Sequence, residues 1–393
     1  MKLIYINDEL ITGDGSNSHA VGMLGGFEKL LGKENVRSFP HAEDGSNKSI
    51  NLKRNALKTK LRFFLQIVRV FRKKYLSYKR ANEYIRCLDK ENFMPTHIIA
   101  RSTSFDITAL LVAKHYKAKL IFEINTPMYY ESIVIQKEPL GRALEKWEKQ
   151  IISSSDNIYI VSKVCRNMLC HKYMCDSDKF FVIPNGYMEK LYHEDEVEKS
   201  AIRNRTRHLE GIETRFVVTF VGSLKAWHGV EELCLIAERL QQDKNIVFLV
   251  LGDGEMHDCV TNYVSTHSNM VFKGKVNLET MKYYLYASDL GIMPYQLKEN
   301  FYYSPLKMFD MLGSGLPFIG TRIGQIEEFC LEKLNADFLV DQPTVDSYIQ
   351  RIQMIKDNPV KLGDMADLVD SVRKYETWEK RCEMLIDSIA EIS

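Results

Sequence analysis

The sequence predicts a two-domain α/β protein with a doubly wound parallel sheet in each domain. Three observations carry this. The chain has 393 residues, more than one hydrophobic core usually organises, so two domains are expected. Short apolar runs rich in β-branched residues alternate with amphipathic stretches from end to end, which is how strands covered on both faces read. The alternation restarts after a polar, charged interval running from Glu189 to Glu210.

In the first half the strand-like runs are Leu3–Asn7, Val36–Phe39, His97–Ala100, Leu120–Asn125, Asn157–Ser162 and Phe180–Pro184. In the second half they are Phe216–Gly222, Ile246–Gly252, Met270–Lys273, Leu290–Tyr295, Pro317–Thr321 and Asp337–Val340. The expected domains are 1–190 and 205–374, and the last helical stretch, within 375–393, has no strand to follow it. Two such domains facing each other across a cleft would bring the C-terminal strand ends of both sheets to one crevice, where open α/β sheets bind ligands. The loops that follow the strands are therefore where chemistry is expected.

Composition narrows the class. Lys and Arg (53) nearly balance Asp and Glu (52), so overall charge points to no nucleic-acid partner, and the sequence contains no recognisable nucleic-acid module. No apolar run reaches bilayer length, and MKLIYIN leads into acidic, Gly-rich sequence unlike a signal peptide, so a cytoplasmic location is expected. The eight cysteines form no C-x-x-C pair and read as reduced thiols. Asp176 and Asp178, in CDSDK, form a D-x-D that precedes a strand instead of following one, and reads as a surface turn, with no metal expected.

Two stretches could hold a phosphate. In VVTFVGSLKAWHGVEEL a buried strand ends at Gly222, a short loop carries Lys225 and His228, and a helix begins near Val230. Free N–H groups at a helix start, flanked by cations, attract anions. A solvated lysine and a capping histidine would explain the same residues. In FYYSPLKMFDMLGSGLPFIGT, Ser304 reads as an N-cap and Pro305 as the first helical residue, with the helix running to about Leu312. Lys307 then sits in the first turn, where the helix dipole disfavours a cation, unless an anion binds there. Asp310 falls one turn later, placed either to pair with Lys307 or to accept hydrogen bonds from sugar hydroxyls.

In order along the chain, G-S-L-K-A-W-H-G-V, L-G-D-G-E, F-K-G-K-V, A-S-D-L-G-I-M-P-Y and S-P-L-K-M-F-D-M-L-G-S-G-L-P-F-I-G-T resemble the C-terminal half of glycosyltransferase family 4, retaining enzymes of the GT-B fold, in its S-P-x-K-x-F-E branch. F-E-I-N-T-P-M-Y-Y-E and V-I-P-N-G-Y resemble segments of its N-terminal half. The resemblance covers nearly the whole chain. It implies two Rossmann-like domains with the C-terminal helix returning to the first, and a nucleotide-diphosphate sugar held by the second domain.

The resemblance assigns donor contacts to Gly222, Ser223, His228, Gly252, Lys275, Ser304, Pro305, Leu306 and Asp310, with Lys225 and Lys307 supplying the charge that the diphosphate needs. Asp310 takes the place of the second glutamate of the E-x(7)-E motif, which binds ribose hydroxyls. The chain departs from the family at three positions: Tyr302 stands where the first glutamate grips the donor sugar, Ser223 where an arginine is usual and His228 where a lysine is usual. The reaction implied is retaining transfer of a sugar to a saccharide or lipid-linked acceptor in surface polysaccharide or glycolipid assembly, without a metal or other cofactor. A non-catalytic sugar-nucleotide-binding subunit, or a nucleotide-sugar epimerase on the same fold, is the alternative.

In the first domain the Gly-rich loop Thr12–His19, with Gly15 and Ser16, follows the first strand. Gly15 is expected near the donor and Ser16 on the acceptor side. Arg101 follows the strand HIIA where relatives carry a histidine, and is expected to touch phosphate or acceptor. Glu123 and Asn125 end the next strand on the acceptor side, where orienting their own loop would account for them equally.

From Leu52 to Arg80 there are eleven Lys or Arg and no acid. Leu57, Leu61, Phe64, Leu65, Val68, Phe71 and Tyr75 recur at helical spacing. A basic amphipathic helix of this kind suits an anionic membrane surface, reached through residues 53–80, which would make the protein peripheral on the inner face of the cell membrane. The bland alternative makes the apolar stripe the core face of a helix and the cations its solvated back.

Overall fold

A computed structural model describes residues 1–11, 17–40, 59–138 and 140–391, with side chains from residue 67 onward in the segment that begins at 59. Two compact units emerge, Met1–Pro184 with Glu379–Ser393 and Asn185–Trp378.

The first unit runs β1 (Leu3–Ile6), α1 (Asn17–Leu31), β2 (Val36–Phe39), α2 (Thr59–Lys90), β3 (His97–Arg101), α3 (Thr108–Tyr116), β4 (Lys119–Ile124), α4 (Gly141–Ser154), β5 (Asn157–Ile160), α5 (Lys163–Tyr173) and β6 (Phe180–Val182). Its strands are all parallel, in the order β2-β1-β3-β4-β5-β6. Leu3, Ile4, Tyr5, Ile98, Ile99, Ile158, Tyr159 and Ile160 are fully buried, as a sheet covered on both faces requires.

The second unit opens with α6 (Glu196–Glu210) and continues β7 (Phe216–Val221), α7 (Val230–Arg239), β8 (Ile246–Leu251), α8 (His257–Thr266), β9 (Met270–Gly274), α9 (Leu278–Tyr286), β10 (Leu290–Met293), α10 (Leu306–Ser314), β11 (Phe318–Thr321), α11 (Gly324–Lys333), β12 (Leu339–Val340), α12 (Val345–Lys356) and α13 (Pro359–Arg373). The order is β12-β11-β10-β7-β8-β9, again parallel. The chain reverses its direction of growth between β7 and β10, and in the first unit between β1 and β3. Those switch points are where open α/β sheets bind ligands.

The last helix, α14 (Trp378–Glu391), belongs to the first unit from Glu379 onward. Cys382 donates through Sγ to the carbonyl of Met23 at 3.2 Å, and Leu385 and Ile389 are buried. Among the described residues no helix is long and apolar enough to cross a membrane.

Two expectations need correction. The domain boundary lies at Pro184 and Asn185, not within 190–205: α6 is held to the second unit because Arg203 and Arg207 both bind the Asp289 carboxylate. The chain recrosses at Trp378 and not at residue 375, because Tyr187 forms a bridge with Thr377 and accepts the Trp378 N–H at 3.1 Å. Asp176, of the D-x-D, accepts the N–H of Asp178 at 3.0 Å and caps a turn.

Candidate functional site

In the second unit the site grows from the end of β7. Gly222 adopts φ +126°, and a Cβ placed there would lie 2.9 Å from Cε and 3.2 Å from Nζ of Lys307. Gly252, after β8, has φ +138°, and a Cβ there would fall 1.8 Å from the Gly222 carbonyl oxygen. Both glycines are therefore required by close approach of backbone as well as by conformation. The loop is braced further by Leu224, whose N–H donates to Asp253 at 3.0 Å and whose carbonyl accepts from Met256 at 2.9 Å.

Lys307 lies in the first turn of α10 and is buried. Its Nζ has no hydrogen-bond partner among the described residues, and it rests 4.1 Å from the ring centre of Phe220 and 5.0 Å from that of Tyr295. Burial pulls its pKa down to about 7. Aromatic faces offset part of the cost of burying an ammonium, but a cation with no anionic or hydrogen-bonding partner remains costly to enclose.

The other cations gather around the same loop. Lys225 is exposed, with Nζ 5.8 Å from the ring centre of Trp227, and Lys298 approaches the same ring to 4.2 Å. His228 donates from Nδ1 to the Ser223 carbonyl at 2.6 Å, and Ser223 itself is exposed. Burial first, and then the charges of Lys307, Lys225 and Lys298, push the His228 pKa down to about 2, so this imidazole is neutral and contributes a brace instead of a charge. Lys275 stands apart: it is exposed after β9, and its charge acts on Asp253.

Around the start of α10 the structure revises three expectations. Pro305, and not Ser304, is the N-cap, at φ −70° and ψ 110°, and Leu306 opens the helix. Ser304 is occupied elsewhere: its hydroxyl accepts the N–H of Asn185 at 3.0 Å, and its carbonyl accepts Asn185 Nδ2 at 2.7 Å. Asp310 forms no pair with Lys307. Its Oδ1 accepts the Tyr192 hydroxyl at 3.3 Å, and burial raises its pKa to about 7. The helix runs to Ser314, and Gly315 in the left-handed region closes it, while Gly313 stays helical. Tyr302 is buried, with its hydroxyl 2.8 Å from that of Tyr303, and Tyr303 stacks on Trp227 at 4.6 Å between ring centres.

In the first unit the candidates meet at Glu123, which has no exposed surface. Its Oε2 accepts the Tyr5 hydroxyl at 3.2 Å, while its Oε1 lies 3.0 Å from His19 Nε2, 2.7 Å from Asn125 Nδ2 and 3.5 Å from Arg101 Nη1. Burial alone would raise this carboxyl. His19, Arg101 and Asn125 outweigh it and hold the pKa at about 2. Arg101 also donates to Glu9 at 2.5 Å. Arg101 is thus ion-paired, and the enclosed Glu123 orients His19, Arg101 and Asn125. Gly15 and Ser16 lie outside the described residues.

Sequence comparison covers both units. Residues 48–188 match the family described as Glycosyltransferase Family 4, and residues 215–358 match Glycosyl transferases group 1. A 186-residue stretch is 26% identical to "Putative teichuronic acid biosynthesis glycosyltransferase TuaH" of Bacillus subtilis, covering 46% of this chain and 44% of that protein. The match thus spans less than half the length of that relative.

The fold recurs in solved structures of low identity. HepE from Anabaena, in complex with UDP, superposes with a TM-score of 0.66 at 13% identity over 100% of both chains. A glycosyltransferase from Rickettsia africae gives 0.66 at 15% over 99% of this chain and 98% of that one. Sucrose-phosphate synthase from Thermosynechococcus elongatus gives 0.65 at 15% over 100% and 99%. The two-unit Rossmann-like architecture is the GT-B fold.

The sequence pattern did not single out Trp227, Tyr295, Lys298 and Tyr303 in the second unit, or Tyr5, Glu9 and His19 in the first. The aromatic residues carried a signal, since Trp227 and the Tyr302–Tyr303 pair sit in strand-to-helix loops where large rings are uncommon unless they pack on something. Asn185 was visible as part of V-I-P-N-G, but its bond to Ser304 links positions too distant in sequence for local pattern to show.

Proposed function

We propose that this protein is a retaining glycosyltransferase that moves a sugar from a nucleotide-diphosphate sugar to a saccharide or lipid-linked acceptor in surface polysaccharide assembly. The observation that carries this reading is the buried, unpartnered ammonium of Lys307, set against Gly222 where two strand-to-helix junctions converge at the switch point of the second sheet. A diphosphate there would receive the charge that Lys307 lacks a partner for, with Lys225 on the exposed side and the first amides of α10 completing the anion site. The domain matches, the TuaH relative and the UDP named with HepE support the same reading.

In the transfer, the anomeric C–O bond to the β-phosphate oxygen breaks and a bond to the acceptor oxygen forms on the same face of the ring. The acceptor proton passes to the departing phosphate oxygen. Negative charge grows on the nucleoside diphosphate as the bond breaks, so cations on that phosphate stabilise the transition state more than the ground state. Lys307 and Lys225 fill that role, and no metal or other cofactor is called for. Asp310 is proposed to accept from ribose hydroxyls, with Tyr302 as a hydroxyl group where relatives present a carboxylate to the donor sugar. Gly222, Ser223, His228 and Gly252 would shape the phosphate loop.

One structural fact favours a second reading. Tyr302 is buried with its hydroxyl against Tyr303, so donor recognition could have lost the contact that turnover needs, leaving a sugar-nucleotide-binding subunit. A panel of nucleotide sugars, screened by thermal stabilisation and then by release of nucleoside diphosphate on adding acceptor, separates the two. Acceptor-dependent release with retained anomeric configuration supports transfer. Stabilisation without release supports the binding subunit, donor interconversion without acceptor supports an epimerase, and no stabilisation by any nucleoside diphosphate overturns the site.

A further inference from the structure

The described part of the apolar stripe, Val68, Phe71 and Tyr75, does not face the core. In α2 the buried positions are Ser77, Ala81, Tyr84 and Leu88. At 100° per residue these cluster on one side of the helix, and Val68, Phe71, Tyr75 and Tyr78 lie off it, Val68 and Tyr75 on the opposite side and Phe71 and Tyr78 on the flank. Those four are 46%, 70%, 71% and 54% exposed. The rotation of the helix is fixed from within: Ser77 Oγ donates to Asp106 Oδ1 at 3.0 Å, Arg80 pairs with Asp8 and Asp106, and Lys73 Nζ donates to the Ser104 carbonyl at 3.0 Å.

The exposed surface of this stretch is also cationic. Arg69, Arg72, Lys74 and Lys79 are exposed and have no ion pair among the described residues. Between Asp44 and Glu83 the sequence has no acidic residue. Three exposed aromatic rings on a stretch of helix that carries only positive charge as far as Asn82 suit one kind of surface: rings that enter the headgroup region, and cations that meet anionic lipid. A protein partner with an acidic face would match the charge but would leave unexplained why phenylalanine and tyrosine, in preference to short polar residues, stand exposed.

We infer that the outer face of α2, from Val68 to Lys79, docks the protein on an anionic membrane surface. The same helix delivers Arg80 and Tyr84 to a small cavity lined also by Asp8, Arg101 and Asp106, at the β1/β3 switch point of the first unit. Docking through α2 therefore sets that switch point close to the lipid headgroups, which fits an acceptor carried on lipid. The docking itself is independent of the donor site in the second unit.

Co-sedimentation of the full chain with vesicles tests this. With equimolar phosphatidylglycerol and phosphatidylcholine the protein is expected to pellet, and with phosphatidylcholine alone to stay in solution. The quadruple variant R69Q/R72Q/K74Q/K79Q is expected to bind about six-hundredfold more weakly at low salt, at roughly fivefold per cation. F71S/Y75S/Y78S is expected to lose binding at moderate salt while its thermal unfolding midpoint stays at the wild-type value, because none of the three rings is in the core. Equal binding to both vesicles, no binding to either, or wild-type binding by both variants overturns the inference. So does a wild-type dimer, seen by light scattering, that the aromatic variant converts to monomer without any vesicle binding.

Discussion

Gly222 and Lys307 touch: the glycine at the end of β7 leaves the space that the lysine side chain fills, with 2.9 Å between a would-be Cβ and Cε. Gly222→Ala would force both a strained φ and a displaced ammonium. The expected outcome is a stability loss of about 1–3 kcal/mol, together with weaker binding of nucleoside diphosphate. Calorimetric titration and thermal unfolding of the same sample measure both, and an alanine variant with wild-type affinity would show that the ammonium position does not matter.

Lys307→Met should separate stability from function. The lysine is destabilised by burial, its pKa falling from 10.5 to about 7, so removing the charge should raise stability by about 2–5 kcal/mol near neutral pH and below. Donor binding should weaken by about 1.5–3 kcal/mol through loss of a charge-assisted contact. Lys225→Ala, at an exposed position, should cost at most about 1 kcal/mol of donor binding. A methionine variant that is less stable than wild type would refute the assignment of Lys307 as an uncompensated charge.

The pH dependence follows from the same group. Without donor, the folded pKa of Lys307 lies below its unfolded value, so its destabilising effect is complete below about pH 7 and is relieved as pH rises toward 10.5. Asp310 runs the other way, since its folded pKa of about 7 exceeds 3.8 and its burden grows as pH rises from 3.8 to 7. Nucleoside diphosphate affinity is expected to fall as pH rises above 7, when Lys307 loses its proton. Binding curves at pH 6, 7, 8 and 9 check this, and Lys307→Met should lack the decline.

Glu123→Gln should weaken the first unit, because His19 and Arg101 both face its carboxylate. Loss of about 2–4 kcal/mol is expected. In the wild type, the Glu123 contribution is present above pH 4.5 and disappears as pH falls toward 2, for a total of about 3 kcal/mol. Denaturant unfolding between pH 7 and pH 3 measures this, and a glutamine variant with unchanged acid sensitivity would contradict it.

Leu385→Ala probes the return of α14 to the first unit. Leu385 is fully buried, so truncation should cost about 2–5 kcal/mol. Limited proteolysis should then cleave the first unit sooner while the second keeps its wild-type lifetime. Earlier cleavage of the second unit alone would mean that the helix supports the wrong half.

Much of this protein was settled locally. All twelve strands lie within or beside the runs that sequence alone marks, because a strand covered on both faces must be continuously apolar over its own few residues. The loop-to-helix junctions at Gly222 and Pro305 were equally legible, since φ preferences act within one or two residues. Other features depended on which distant groups fold against one another. The bond from Asn185 to Ser304 and the gathering of Tyr5, His19 and Arg101 on Glu123 join residues far apart in sequence, and Lys307 and Asp310 take distant partners instead of each other, Phe220 and Tyr295 for the lysine and Tyr192 for the aspartate. Periodicity showed that α2 has an apolar side and could not say whether that side is buried. For Val68, Phe71 and Tyr75, packing through Ser77, Ala81, Tyr84 and Leu88 decided it, because a helix covers whichever face its neighbours can fill, and here that face left all three exposed.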